Sequence, residues 1–506
     1  MSRLLIFLAA AAGLALAFAP FPLRPLALVA LVPLFWRIET PGRGGRPGAR
    51  RVFFWGWLFG TVAAGFHFFW LWFLVIPVEP ITRLLLNVGV VVLFAYLGLY
   101  VGVFALLVRR LGLWTAPFVW ALLEYARSVL QIAFPWNFLG YSMTPWLPFI
   151  QPAALGGIYL VSSWVVLVNL LVYRALLPLR QPTARRVGFV AGLALVICLP
   201  VISWFFRNRP LKPWFKVAIV QPDVAPTDKG DAESRERIQS DLIKLTREAA
   251  AAHPDLVIYP ETATLSDVTR SSTIGTAIRR LADSLDLEIF TGTPLYDEPR
   301  GTWHNGAVLI SPGEDSVRQR HYKLRLVPFS EKIPYADELP ILRRLIGTAD
   351  MGNWTRGQEL NVFNWRLGTA SCLVCYEAIF PDLTREFVRR GSMLHVVVTN
   401  DGWFGRLPGI HQHAELAVVR AVETGVPMVR SANNGISFIV DPYGRVLKRT
   451  QLFTKTNLVG DVPEPLPPTP YVRWGEWFIR FSLGLVVVGA VVQHLRKRRR
   501  KRPNRG

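Results

Sequence analysis

Long apolar runs near both ends of the chain enclose a polar middle in which short apolar stretches alternate with amphipathic ones. A helix needs about 20 apolar residues to cross a bilayer. Candidate runs fall near Leu4 to Ala19, Leu26 to Trp36, Val52 to Val78, Leu84 to Val108, Leu113 to Leu130, Phe149 to Tyr173, Val187 to Phe206 and Trp477 to Leu495. They predict a polytopic α-helical membrane part with about eight spans. The second run is short and flanked by proline, so the first pair is predicted to form a tight helical hairpin around Pro20-Phe21-Pro22. Ala15-Leu16-Ala17 has the small-residue form of a signal-peptide cleavage site, and a cleaved leader is the competing reading of the first run. Against it, the next apolar run begins almost at once and leaves no polar mature N-terminus.

Basic residues set the predicted orientation. Arg37, Arg43, Arg46, Arg50 and Arg51 follow the second run, Arg109 and Arg110 the fourth, and Arg174, Arg180, Arg185 and Arg186 the sixth; a basic tail from Arg496 to Arg505 follows the eighth. Short basic loops stay in the cytoplasm, so both termini are expected there and the polar stretch between runs seven and eight outside. Arg24 and Arg83 are isolated exceptions. The formal charge of +22 is placed beside apolar runs with no base-reading motif, which argues for membrane orientation and against nucleic acid as a partner. Hydrophobic residues make up 51% of the chain and charged residues only 18%, too apolar for an ordinary soluble protein of this length.

Three parts follow: a transmembrane part over 1–210 with seven candidate helices, an outside domain over 211–470, and a final span with a basic cytoplasmic tail over 471–506. Within the outside domain the pattern predicts strands over 215–221, 256–259, 288–293, 307–310, 369–376, 395–399, 428–431 and 436–440. Helices are predicted over 234–252, 272–284, 383–390 and 411–425. That alternation is an α/β sandwich with helices covering the strands. Pro334 to Trp354 sets Leu339, Ile341, Leu342, Leu345 and Ile346 beside Arg343 and Arg344, the pattern of an amphipathic arm lying on lipid or of an ordinary surface helix.

The candidate chemistry lies at the ends of these strands. Ala370-Ser371-Cys372-Leu373-Val374-Cys375-Tyr376-Glu377 places a thiol where a buried strand turns into a helix, and a sharp corner with a helix dipole would favour thiolate. Leu256-Val257-Ile258-Tyr259-Pro260-Glu261 ends a strand with proline and carries a carboxylate beyond it, a candidate general base. His321-Tyr322-Lys323 opens a segment ending at Phe329-Ser330-Glu331, where Lys323 is a candidate oxyanion holder. Taken singly, each also reads as a solvated charge or a core thiol. Cys198, Cys372 and Cys375 make no disulfide framework, and Cys198 reads as a small apolar residue. His411 and His413 are two residues apart, so they would not share a helix face, and no metal site is expected.

The three segments, in this order, resemble the Glu-Lys-Cys triad of the nitrilase (carbon-nitrogen hydrolase) superfamily. With the membrane spans, the chain resembles its apolipoprotein N-acyltransferase family along nearly its whole length. Further matching stretches are Phe134-Pro135-Trp136-Asn137-Phe138-Leu139-Gly140-Tyr141, Val327 to Pro334, Asn400-Asp401-Gly402-Trp403-Phe404-Gly405, and His411-Gln412-His413 through Arg420 and Glu423 to Arg430-Ser431-Ala432-Asn433-Asn434-Gly435. The chain departs from the family pattern at Ser330, where glycine is usual, and at Lys229-Gly230, where a Lys-Trp pair is common.

The resemblance implies a nitrilase-like αββα sandwich. In it Glu261 takes the thiol proton, Cys375 attacks and Lys323 stabilises the oxyanion. Glu331, Tyr376 and Glu377 would support them, while Trp136, Trp403 and Phe404 are possible lipid contacts. It also implies a multi-pass protein of the bacterial inner membrane with its catalytic domain in the periplasm, and no cofactor. The donor would be a membrane phospholipid giving up its sn-1 chain, and the acceptor the free α-amine of the S-diacylglyceryl cysteine of an apolipoprotein. Two alternatives stand beside it: a membrane-tethered amidase acting on small amides with the same triad, and a transporter or receptor whose outside domain only binds. The first has no use for eight spans, and the second would be insensitive to loss of Cys375. Glu124 and Arg127 are among the few charges within the runs, which gives an ion pathway little support.

Overall fold

A computed structural model provides the structure, described for all residues except 1, 41–47, 77–78, 177–182, 226–227, 229–231, 271, 336–337, 339–353 and 502–506. The predicted amphipathic arm and the Lys229-Gly230 departure therefore lie mostly or wholly outside the described residues.

Strand alternation builds the two-sheet part. Twelve strands form two six-stranded sheets, ordered β12-β1-β2-β3-β4-β5 and β11-β10-β9-β8-β7-β6. In the first, β1 (Pro213–Gln221), β2 (Leu256–Tyr259) and β3 (Glu288–Asp297) run parallel; β4 (Thr302–Ile310), β5 (Gln319–Tyr322) and β12 (Thr456–Pro463) pair antiparallel. In the second, β7 (Gly368–Val374), β8 (Leu394–Thr399) and β9 (Met428–Ala432) are parallel, flanked by β6 (Val362–Trp365), β10 (Phe438–Val440) and β11 (Val446–Arg449).

Successive side chains of a strand point to opposite faces, and both faces here are apolar. Val217, Ile219, Leu256 and Ile258 meet Cys372, Val374, Val396 and Val398 between the sheets. Their neighbours Ala218, Val220, Val257 and Tyr259 pack outward under the helices Ala232–Ala250 and Thr273–Leu285. The second sheet turns Leu373 and Val397 outward against the helices Pro381–Arg389 and Pro408–Thr424.

Those two helices are not the outermost layer. Leu383, Phe387, Leu416 and Val419 belong to one continuous apolar core with Phe59, Phe104, Tyr141 and Val165 of the N-terminal helices. Polar contacts mark the seam. Both indole N–H groups of Trp70 and Trp136 donate to Gln412 Oε1, at 3.1 and 3.0 Å, and Arg24 pairs with Glu415 at 2.7 Å. Further along the same helix, Arg420 donates to Tyr141 at 2.9 Å and Glu423 accepts from the Ile158 N–H at 2.8 Å, beside a kink where Gly157 adopts φ +71°.

Among the described residues, four helices are long and apolar enough to cross a membrane: Pro80–Leu111, Ala153–Leu176, Thr183–Arg207 and Trp477–Leu495. Their outward rows, such as Leu84, Val88, Val91, Leu195, Leu199, Val487 and Val491, are exposed apolar surface suited to lipid. The other predicted runs form different elements. Leu4 to Ala19 gives the 14-residue helix Ser2–Ala15; Leu26 to Trp36 gives a 3₁₀ turn Arg24–Leu28 and a helix Val32–Glu39. Val52 to Val78 gives Ala49–His67 followed by a 3₁₀ turn, and Leu113 to Leu130 gives a short helix Ala116–Ala126. Proline at the start of several of these elements divides runs that a hydropathy count joins.

Candidate active site

The predicted triad residues converge at the ends of β2, β5 and β7. β2 ends at Tyr259, and Glu261 lies just beyond it, after Pro260. Gly292 of β3 lies so close that a Cβ there would stand 2.6 Å from both Glu261 Cα and the Pro260 carbonyl oxygen, so only glycine fits. Lys323 directly follows β5 and is held by its backbone N–H on the Asn305 carbonyl at 2.8 Å. Cys375 directly follows β7 at φ +53°, a left-handed conformation that costs a non-glycine residue strain and turns the side chain out of the strand.

The side chains form a connected polar network in a water-poor pocket. Lys323 is 1% exposed; its Nζ lies 2.8 Å from Glu331 Oε1 and 3.5 Å from Glu261 Oε1. Asn305 donates to Glu261 Oε1 at 2.7 Å and to Glu331 Oε1 at 3.3 Å, while the Asn400 N–H donates to Glu261 Oε2 at 2.9 Å. Glu331 also accepts from the Val327 N–H at 2.8 Å, which fixes the loop carrying it. Burial alone would lower the Lys323 pKa, but the carboxylates of Glu331 and Glu261 overcome it and hold the ammonium charged well beyond the ordinary range.

The thiol behaves differently from the sequence expectation. Burial first, then the Glu261 carboxylate, push Cys375 upward, and Lys323 opposes them only in part. Together they favour the protonated thiol over the thiolate. The physical reason is local: Cys375 heads only the five-residue 3₁₀ turn Cys375–Ile379, too short a dipole to offset desolvation. Glu261 is the carboxylate that acts most strongly on this thiol. Cys372, two positions back along β7 from Val374, is fully buried between the sheets.

Glu377 is fully buried and joins the two sides of the cleft. Its Oε2 accepts from the Val374 N–H at 2.8 Å, and its Oε1 from the Leu324 and Arg325 N–H groups at 2.6 and 3.2 Å. Burial alone would raise its pKa, but His321 and these N–H donors hold it below the ordinary carboxylate value. Tyr376 is buried, with its hydroxyl donating to the Ala133 carbonyl at 2.8 Å. Trp136 is buried, Phe404 meets Trp70 edge to face at 5.2 Å, and Trp403 is 37% exposed with its carbonyl accepting from the Val75 N–H at 2.8 Å.

Sequence reasoning does not reach Asn305 or Gly292, because the contacts that define them join β2, β3 and β4 across the sheet. A polar Asn305 at the head of Gly306-Ala307-Val308-Leu309 was the available signal. Among the described residues no His, Cys, Asp or Glu group could hold a metal ion.

Comparison with known proteins follows this geometry. Residues 10–171 match the model of the apolipoprotein N-acyltransferase N-terminal domain, and residues 216–466 that of carbon-nitrogen hydrolase. An apolipoprotein N-acyltransferase of Geobacter metallireducens is 35% identical, the match covering 96% of this chain and 94% of the relative. One from Chlorobaculum tepidum is 31% identical over 98% of each. A solved amidase of the nitrilase superfamily from Nesterenkonia is 18% identical with a TM-score of 0.41, covering 54% of this chain and 98% of that one. With similarity running along both the helical and the two-sheet parts, the chain belongs to the apolipoprotein N-acyltransferase family of the carbon-nitrogen hydrolases.

Proposed function

We propose that the protein moves a fatty acyl chain from a membrane phospholipid, through a thioester on Cys375, to the free α-amine of the S-diacylglyceryl cysteine of apolipoproteins. Membership in the family makes the chain an acyltransferase enzyme. The observation that carries the mechanism is the convergence of Glu261, Lys323 and Cys375 just beyond the ends of β2, β5 and β7, with Lys323 Nζ 3.5 Å from Glu261 Oε1.

In the first half-reaction Glu261 takes the thiol proton and sulfur attacks the sn-1 ester carbonyl. Negative charge builds on the carbonyl oxygen, where Lys323 stabilises it, a type of contact worth about 3 kcal/mol. The tetrahedral intermediate expels the lysophospholipid alkoxide, which recovers the proton from Glu261. In the second half-reaction the acceptor amine attacks the thioester, loses a proton to Glu261 and displaces the thiolate, which is reprotonated. Two moderate steps replace one difficult aminolysis of an ester. Glu331 and Glu377 hold Lys323 and its loop, and Tyr376 shapes the acyl pocket. Trp403 and Phe404 are proposed at the lipid entrance, and Trp136 beneath it.

We assign residues 1–210 to the transmembrane part, 211–470 to a periplasmic catalytic domain and 471–506 to the final span and cytoplasmic tail, with about eight spans and both termini in the cytoplasm. The basic loops support this orientation in a bacterial inner membrane. A site at the bilayer surface spares both diacyl substrates extraction from lipid, about 0.8 kcal/mol per CH₂. The continuous core between the catalytic sheet and the membrane helices favours this reading over a tethered amidase.

The test is the mass of the Cys375 peptide after incubation of the detergent-purified protein with phospholipid, with Cys375→Ala as control. A fatty-acyl mass on Cys375 that passes to an added diacylglyceryl-cysteine peptide is the expected result. An unmodified Cys375 in protein that cleaves small amides would overturn it.

A further inference from the structure

Across the cleft from Glu261, a second set of buried polar groups surrounds the nucleophile's main chain rather than its sulfur. His413, 1% exposed on the helix Pro408–Thr424, points Nε2 at the Cys375 carbonyl oxygen, 3.2 Å away. Its Nδ1 lies 2.9 Å from Asp401 Oδ1 and 3.1 Å from Arg430 Nη2, and Arg430 also donates to both oxygens of Asp401, at 3.0 and 2.8 Å. Gly435 leaves room for this carboxylate: a Cβ there would stand 2.1 Å from Asp401 Oδ2. One face of the imidazole is covered by Trp136 of the N-terminal helical part, with ring centroids 5.2 Å apart and planes at 22°.

A carbonyl oxygen only accepts hydrogen bonds, so Nε2 must carry a proton to face it at this distance. That holds for the neutral ring, whose Nδ1 then accepts from Arg430, and for the imidazolium, whose Nδ1–H donates to Asp401. The hydrogen bond falls on the residue that needs it. Cys375 sits in a left-handed conformation, and such a conformation persists only where its surroundings over-determine it. On the preceding side the Glu377 side chain holds the Val374 N–H; on the following side the donor to the Cys375 carbonyl is His413.

We infer that His413 is a positioning residue, whose Nε2–H fixes the Cys375 carbonyl and so aims the thiol, and that Trp136 and the Asp401–Arg430 pair hold the imidazole for that purpose. The inference rests on Cys375 being the nucleophile. It makes the membrane part a direct determinant of nucleophile geometry through one stacked ring, since Trp136 is itself anchored by its N–H on Gln412.

The test compares two amides in full-length protein. In His413→Gln the amide nitrogen reaches the place of Nε2 and can donate to Cys375; in His413→Asn it ends near the place of Nδ1 and can only serve Asp401. Thioester formation on Cys375 is followed by mass against time, together with KM for phospholipid and the melting temperature of each variant. The expected result is a wild-type-like acylation rate in His413→Gln and a loss of about 10²-fold in His413→Asn, the scale of a small misplacement of a reacting group. KM and melting temperature should be similar in the two variants. Equal acylation rates in the two variants, fast or slow, would overturn the inference and leave His413 a packing residue. Absence of any thioester in wild type would instead overturn the nucleophile assignment on which it rests.

Discussion

The Glu377 carboxylate accepts from the Leu324 N–H at 2.6 Å, which ties the residue two beyond Cys375 to the residue after Lys323. Cys375 and Lys323 come from different sheets, so this one side chain bridges the segments that carry them. Its other oxygen holds Val374.

Glu377→Gln should therefore loosen both sides at once. An amide offers one acceptor oxygen and turns N–H groups toward the remaining donors. The expected loss is about 1.5–3 kcal/mol of stability with at least a tenfold slower Cys375 acylation, read by thermal unfolding and by thioester yield.

The same carboxylate gives a pH dependence. Its folded pKa lies below the ordinary glutamate value of about 4.3. Its stabilisation is thus fully present above that value and is lost as pH falls from there through the lower folded value. Melting temperature should fall in wild type below about pH 4.3, and the fall should be shallower in Glu377→Gln.

Glu261→Gln should separate thiol ionisation from catalysis. The Glu261 charge raises Cys375 and the Lys323 charge lowers it. Removing the first should make Cys375 alkylate with iodoacetamide at lower pH than wild type, while acyl transfer drops by about 10²-fold or more, the lower range of a lost general base. Lys323→Met should move alkylation the opposite way. A Glu261→Gln thiol that titrates higher than wild type would contradict the electrostatic account.

Gly292→Ala should impair Glu261 without touching it chemically. The new methyl group meets backbone on both contacts, Glu261 Cα and the Pro260 oxygen. Overpacking of this kind costs about 1–3 kcal/mol. Acylation should fall more than tenfold, and the measurement is thioester yield at a temperature where circular dichroism shows the variant folded.

Cys372→Ala is the contrasting case. Cys372 is fully buried between the sheets, and losing its sulfur leaves a small cavity at a cost of about 1 kcal/mol. Transfer activity should stay within a fewfold of wild type, and iodoacetamide labelling of the Cys375 peptide should persist in Cys372→Ala.

Much of the site is legible in the chain because Glu261 and Cys375 each follow closely on an apolar strand. Tyr259 ends β2 two places before Glu261 and Val374 ends β7 directly before Cys375, while Lys323 directly follows Tyr322 at the end of β5. What escapes is what sequence neighbours do not carry. β5 is the short polar run Gln319–Tyr322, and β11 is exposed at all four residues, so neither shows an apolar pattern. The ionisation of Cys375 depends on burial and on a carboxylate 114 positions earlier, not on the local turn. Trp136 looks like a lipid contact in a membrane-side motif, yet the fold folds it under His413. The span count is obscured for a related reason: apolar residues at the seam, such as Phe68 and Phe138, are buried by protein at 0% exposure and read like lipid-facing ones.

Gln412 receives two indole N–H groups on a single oxygen, one from Trp70 and one from Trp136. Gln412 cannot change to a residue without an acceptor unless both tryptophans change too, because two buried indole N–H groups would lose their partner at once. The helical and two-sheet halves are thus bound to drift in step, and a hybrid that joins the N-terminal half of one homologue to the C-terminal half of another should work only when this trio arrives matched.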